Sequence, residues 1–118
     1  MQMGYMTVPL LNADTTGSSA PVDMQGFQNL TFYVTGEGTI DGGVITFSEA
    51  YFNPQAESNY SGTWSSIGTV NAADVTGGAQ LAYHAGGSGG SFAYAQVKAE
   101  ITSAVTGGGS VSVVLRAC

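Results

Sequence analysis

The chain has 118 residues, of which 43% are hydrophobic and only 8% are charged, and its formal net charge is −6. This length predicts one domain, and the hydrophobic fraction suffices for a folded core, which excludes disorder by composition. Eight acidic residues stand against two basic ones, Lys98 and Arg116, which excludes the clustered basic surface that nucleic acid or anionic lipid requires.

The first segment, Met1 to Pro21, is predicted to be an extended N-terminal arm. Tyr5 to Leu11 is apolar but contains Pro9, which permits an edge strand or an extended arm and excludes a central strand. Asn12 to Pro21 has the mixture of Asp, Thr, Gly, Ser and Pro that is typical of an irregular connection. The first eleven residues lack both a basic segment and a long apolar run, so we expect neither a secretory signal nor a membrane span there.

Residues 22–118 are predicted to form one β-domain. The run from Phe27 to Thr35 alternates, with Leu30, Phe32 and Val34 on one face. Asp41-Gly42-Gly43 is a strong turn signal, which predicts a hairpin between this strand and the alternating run Val44 to Phe52.

The second half of the chain continues the pattern of short strands between glycine-rich turns. Thr63 to Asn71 predicts a strand with a bulge at Gly68, and Asn71 to Gly78 predicts a single helical turn or a loop. Three further strands are expected in the segments Ala79–His84, Ser91–Thr102 and Val111–Leu115.

Together, these short strands and glycine-rich turns predict an antiparallel β-sandwich or small barrel of about seven strands. The residues on the apolar face of each alternating strand are predicted to form the core. They are Leu30, Phe32, Val34, Phe47, Trp64, Val97, Ile101, Val111 and Val113.

The sequence predicts no catalytic, cofactor-binding or metal-ligating residues. His84 is the single histidine, and nothing in the spacing selects a serine and an aspartate to accompany it. The Asp41 and Asp74 turns lack the alternating oxygen ligands of a calcium loop. The glycines of Gly86–Gly90 lack the Lys-Ser or Lys-Thr of a phosphate loop. Cys118 is the single cysteine, which excludes an intrachain disulfide.

Aromatic residues leave one binding alternative open. Trp64 with Tyr60, Tyr83 and Tyr94 has the composition of a platform on which sugar rings stack, although a single tryptophan in a strand is more often part of the core. A buried Trp64 favours the core, whereas an exposed one coplanar with the tyrosines favours sugar binding.

Four segments in a fixed order resemble small structural proteins of tailed bacteriophages: Tyr60–Trp64, Asp74–Gly78, Tyr94–Ile101 and Thr106–Val113. The N-terminal segment leading into Ala13–Gly17 is similar to the arm of capsid decoration proteins. This resemblance implies a non-enzymatic virion component present in many copies, with decoration of the outer capsid surface as a cement protein as the first choice of role. The lack of a secretory signal predicts that it is made in the host cytoplasm. A head-fibre, tail or adaptor component is the alternative within this class, and a carbohydrate-binding β-sandwich module is the alternative from another class.

The expected partners are the major capsid protein or other virion proteins, together with further copies of the chain. A surface so poor in charge is explained by repeated burial between subunits, and the resemblance implies a homotrimer. The arm is expected to bind a neighbouring sheet edge by strand addition, with its apolar side chains in contact with the partner. The predicted partner-binding residues are Tyr5, Met6, Val8, Leu10 and Leu11.

Overall fold

The structure is a computed structural model that describes residues 6–23, 29–50, 64–86 and 96–118. These residues form nine strands and one 3₁₀ segment, η1 (Ala72–Gly78). The strands are β1 (Met6–Asp14), β2 (Gly17–Ser18), β3 (Val22–Asp23), β4 (Asn29–Glu37), β5 (Gly42–Ala50), β6 (Ser65–Asn71), β7 (Gln80–Gly86), β8 (Gln96–Thr106) and β9 (Ser110–Ala117). Seven of them have seven residues or more, which agrees with the predicted number.

The strands form two antiparallel sheets, which confirms the predicted all-β sandwich. One sheet has the order β1-β9-β4-β7, and the other has the order β2-β8-β5-β6, with β3 also paired to β8. Because β2 and β3 pair with successive parts of β8, they share one strand position. Two sheets with this strand order form a jelly roll, in which most successive strands lie in opposite sheets, although β5 and β6 pair within one sheet.

The connection between β4 and β5 is one such crossing, so the hairpin predicted at Asp41–Gly43 is wrong. β4 and β5 lie in different sheets, and the turn between them is fixed by contacts with other connections. The Asp41 amide donates to the Thr106 carbonyl at 2.9 Å, and the Thr106 hydroxyl donates to the Asp41 carboxylate at 2.6 Å. The Ile40 amide donates to the hydroxyl of Thr76 in η1 at 2.9 Å. The Asp-Gly turn is therefore part of an arch that connects the two sheets, and it does not close a hairpin within one sheet.

The core lies between the sheets and contains eight of the nine predicted residues. Phe32 of β4 and Phe47 of β5 are fully buried, and their rings stack across the sandwich with centroids 4.0 Å apart. Trp64 is the exception, since it is half-buried and lies outside the buried cluster. The predicted bulge lies one residue before Gly68, because Phe47 pairs with Gly68 and Ser48 pairs with Ser66.

Candidate interaction surfaces

Four of the five predicted partner-binding residues lie in β1, and Tyr5 lies outside the described residues. β1 pairs with β9 from Met6 opposite Ala117 to Asp14 opposite Val111. Leu11 is only 4% exposed and belongs to the core, and Met6 and Leu10 pack against it. This differs from the extended arm that the sequence predicts, because these apolar side chains find a surface to cover within their own chain.

The outer edge of β1 is the part of this strand that remains for a partner. β1 is the last strand of its sheet in the described structure, and Pro9 interrupts its amide donors. Its pairing with β9 shifts register twice, between Pro9 and Leu11 and between Leu11 and Asp14. Ala13 has a positive φ of 53°, which is uncommon for a residue other than glycine, and its amide donates to the Ser112 hydroxyl at 2.9 Å. Strand addition at this edge therefore has to accommodate bulges and a proline.

The outer face of the four-stranded sheet presents an apolar row. Val114 and Tyr33 are directly opposite each other on β9 and β4, Pro9 pairs with Val114, and Ala82 pairs with Tyr33. Residues opposite each other in antiparallel strands share a face, and the neighbours of Tyr33 in sequence, Phe32 and Val34, point into the core. Tyr33 is 40% exposed, and among the described residues it is the large hydrophobic side chain that is classed as exposed.

Polar rows flank this apolar row on both sides, and we call the whole surface the Tyr33 face. On one side lie Thr7, Arg116, Thr31 and His84, and on the other lie Ser112, Thr35 and Gln80, followed by Ser110 and Glu37 at the end of the sheet. Arg116 and His84 thus lie at one end of the face and the Glu37 carboxylate lies at the other. An apolar centre with a polar rim is the anatomy of a protein interaction surface.

The residues of the predicted sugar-stacking platform do not share a surface where the structure describes them. Tyr83 packs against Phe47 with ring centroids 5.4 Å apart, and its hydroxyl donates to the Ile67 carbonyl at 3.2 Å. A Cβ on Gly68 would overlap that hydroxyl, so the glycine makes room for Tyr83 between the sheets. The Lys98 ammonium lies 4.6 Å from the centre of the Trp64 ring. Tyr60 and Tyr94 lie outside the described residues.

A small group of charges accompanies Trp64 on the five-stranded sheet. Lys98 also approaches the Glu100 carboxylate, with Nζ 3.9 Å from Oε1. Glu49 of the neighbouring strand β5 is not part of this group, because it lies opposite Val97 and shares the face of that core residue. Desolvation by burial raises the pKa of its carboxyl. Lys98 is therefore held by a cation–π contact and an ion pair within its own chain.

The other residues weighed for chemistry make hydrogen bonds within the described part of the chain. The His84 Nδ1 is 2.9 Å from the Thr31 hydroxyl in a cross-strand pair on the Tyr33 face. Asp41 orders the arch between the sheets through Thr106. No group of three His, Cys, Asp or Glu side chains lies close enough to hold a metal ion among the described residues. No helix of the described residues has the length and hydropathy to span a membrane.

The sequence signal for the Tyr33 face was visible within β4, but neither within β9 nor in the pairing between strands. The alternation of β4 separates Thr31, Tyr33 and Thr35 from the core phase. Val114, by contrast, is preceded by Val113 and followed by Leu115, so the apolar run VVL conceals which of its residues points outward. Only the pairing of β9 with both β1 and β4 assembles the row.

Comparisons with known proteins give a similarity to a solved structure. The chain matches neither a known protein family nor a curated protein. The crystal structure of the SPBc2 prophage-derived protein YomS is similar over 99% of this chain and 96% of that protein, with a TM-score of 0.61 and 17% sequence identity. At this identity the similarity shows a shared fold, which extends over essentially the whole of both chains.

Proposed function

We propose that this chain is a non-enzymatic structural component of a tailed-phage virion, and that it decorates the outer surface of the capsid. The observation that carries this proposal is the fold shared with a prophage-derived protein along almost the entire chain. Jelly rolls are common in viral capsid proteins, which adds support by fold-level analogy. The proposed location is the virion, with the protein made in the host cytoplasm.

The surface chemistry supports a protein that works in contact with other subunits. Only 8% of the residues are charged, and the Tyr33 face presents an apolar row on an outer sheet surface. Contiguous exposed apolar surface rimmed by polar residues is typical of interaction sites. We propose the major capsid protein and further copies of this chain as the partners. The homotrimer rests on the resemblance to decoration proteins alone.

The carbohydrate-binding alternative has less support from the aromatic residues. The jelly roll is also a lectin fold, so topology does not separate the two classes. Sugar stacking requires an accessible aromatic face, and Lys98 lies over the Trp64 ring while Tyr83 packs against Phe47. These contacts favour structural roles for both side chains.

Imaging of purified virions tests the proposed function. For this experiment, a small epitope tag is added to the C-terminus of the chain, and the tagged gene is placed in the phage that encodes it. Gradient-purified particles are then examined by immunogold labelling and cryo-electron microscopy. We expect many symmetric copies on the outer capsid surface. Density for the chain only in the tail or a fibre contradicts the capsid assignment and supports the alternative virion location. Absence from washed virions, together with binding to a glycan array, supports the carbohydrate-binding module.

A further inference from the structure

We propose that two copies of this chain associate through their Tyr33 faces, related by a two-fold axis in the plane of the interface. This contact deepens the proposed function and rests on it in one respect, because that function already names further copies of this chain as partners. Here the face and the two-fold symmetry of one such contact are assigned, and the contact is separate from the three-fold one that the resemblance implies. It is tested on the isolated protein, so its failure would leave the proposed virion location standing. The Tyr33 face has an apolar centre, few charges, and charges of opposite sign at its two ends.

The apolar centre gives the contact its stabilising surface. Tyr33 lies in the middle of the row, flanked by Val114 on β9 and Ala82 on β7. Tyrosine is among the residues that contribute most to association when they lie at the centre of an interface. Two twisted sheets pack face to face at a separation of about 10 Å with their strands roughly aligned, so the flanking small residues leave room for both tyrosines.

The charges make the face complementary to itself. Arg116 is level with Thr31 at one end of β4, and Glu37 is six residues further along at the other end, about 20 Å away. A two-fold axis perpendicular to the strands, midway between these levels, brings Arg116 of one copy to Glu37 of the other at both ends. The same axis passes between Tyr33 and Thr35, so the two tyrosines pack side by side. Arg116 also has an interaction within its own chain, and its five N–H donors allow additional contacts.

The size of the face indicates a weak contact. Four strands about 4.8 Å apart and about 20 Å long give a projected area of about 400 Å² on each copy. Stable complexes bury about 800 Å² on each partner, so this contact falls in the weak class. We therefore expect the dimer to form only at high protein concentration. An assembly that holds many copies close together creates such a high local concentration.

A charge-reversal experiment tests both the face and its symmetry. Sedimentation equilibrium of the free protein at up to several hundred micromolar is expected to show a reversible monomer–dimer equilibrium. Arg116→Glu alone places carboxylates opposite each other at both ends, and Glu37→Arg alone does the same with guanidinium groups. Each variant is expected to dimerise about tenfold or more weakly than the wild type. An equimolar mixture of the two is expected to recover the wild-type affinity as a heterodimer, because both end contacts then join opposite charges.

Control variants separate this contact from general charge effects and from misfolding. Asp74→Arg makes the same charge change as Glu37→Arg at an exposed position of η1, outside the Tyr33 face, and is expected to leave the dimer unaffected. Tyr33→Ser is expected to weaken dimerisation at least tenfold while circular dichroism stays that of the wild type. A monomeric wild type at all concentrations overturns the proposal. A dimer that Tyr33→Ser leaves unchanged, or a charge-reversal pair that does not recover on mixing, also overturns it.

Discussion

Truncation of Leu11 tests whether the first described strand belongs to the fold or is a separate arm. Leu11 is 4% exposed, lies opposite Val113 of β9 and belongs to the core cluster. Leu11→Ala removes three carbon atoms from this site, which at about 0.8 kcal/mol for each buried methylene is worth about 2.4 kcal/mol. A cavity term adds to this loss, but an edge strand can relax into part of the space, so we expect a total of about 2.5–3.5 kcal/mol.

The neighbouring leucine provides a matched control for this substitution. Leu10 is half-buried next to the register shift in β1, so Leu10→Ala is expected to lower the free energy of unfolding by only about 1 kcal/mol. Urea denaturation followed by far-UV circular dichroism measures both losses. Hydrogen exchange adds an independent readout, since amides that β1 donates to β9 are expected to be protected. If both variants lose less than about 0.5 kcal/mol, β1 does not pack as the structure shows and the arm interpretation is correct.

Three further substitutions test the core and the charges by urea denaturation. Phe47→Ala is expected to cost about 3–5 kcal/mol, because the ring is fully buried and stacked on Phe32, and a loss below about 2 kcal/mol contradicts that packing. Trp64→Ala is expected to cost only about 1–2 kcal/mol, since the ring is half-buried and contacts Lys98, whereas a loss as large as that of Phe47→Ala would place it in the core. Burial raises the pKa of Glu49, so the folded state holds this proton more tightly, and stability falls as pH rises from the ordinary glutamate pKa through the raised one. Glu49→Gln is expected to remove that fall, and a pH profile unchanged by the substitution refutes the shift.

The alternating runs predicted the core because they encode it directly. In a strand, successive side chains point to opposite faces, so the apolar phase of β4 identifies Phe32 and Val34 as buried without knowledge of any partner strand. Trp64 departs from this rule because it immediately precedes β6 and lies beside Lys98. Hydrophobic character alone does not distinguish that position from one between the sheets.

Strand pairing could not be predicted in the same way, because it depends on contacts that are distant in sequence. The Asp41–Gly43 turn has the chemistry of a hairpin, yet Thr106 and Thr76, far along the chain, fix it as an arch between sheets. Pro9 allowed an edge strand or an arm, and the choice depended on β9, about a hundred residues later. The candidate interaction surface has the same origin, since its central row combines residues from four strands.

The two sheets differ in how their few charges are distributed, and this difference bears on the proposed contact between two copies of the chain. On the five-stranded sheet, Lys98 lies between the Trp64 ring and the Glu100 carboxylate, so opposite charges compensate each other within one chain. On the Tyr33 face, Arg116 and Glu37 are about 20 Å apart along the strands. That separation exceeds the screening length of about 8 Å at physiological ionic strength, so the two charges barely influence each other in an isolated chain. In the proposed contact, the apolar row would stabilise association without fixing its orientation, and the separated charges of Arg116 and Glu37 would select the antiparallel orientation of the second face.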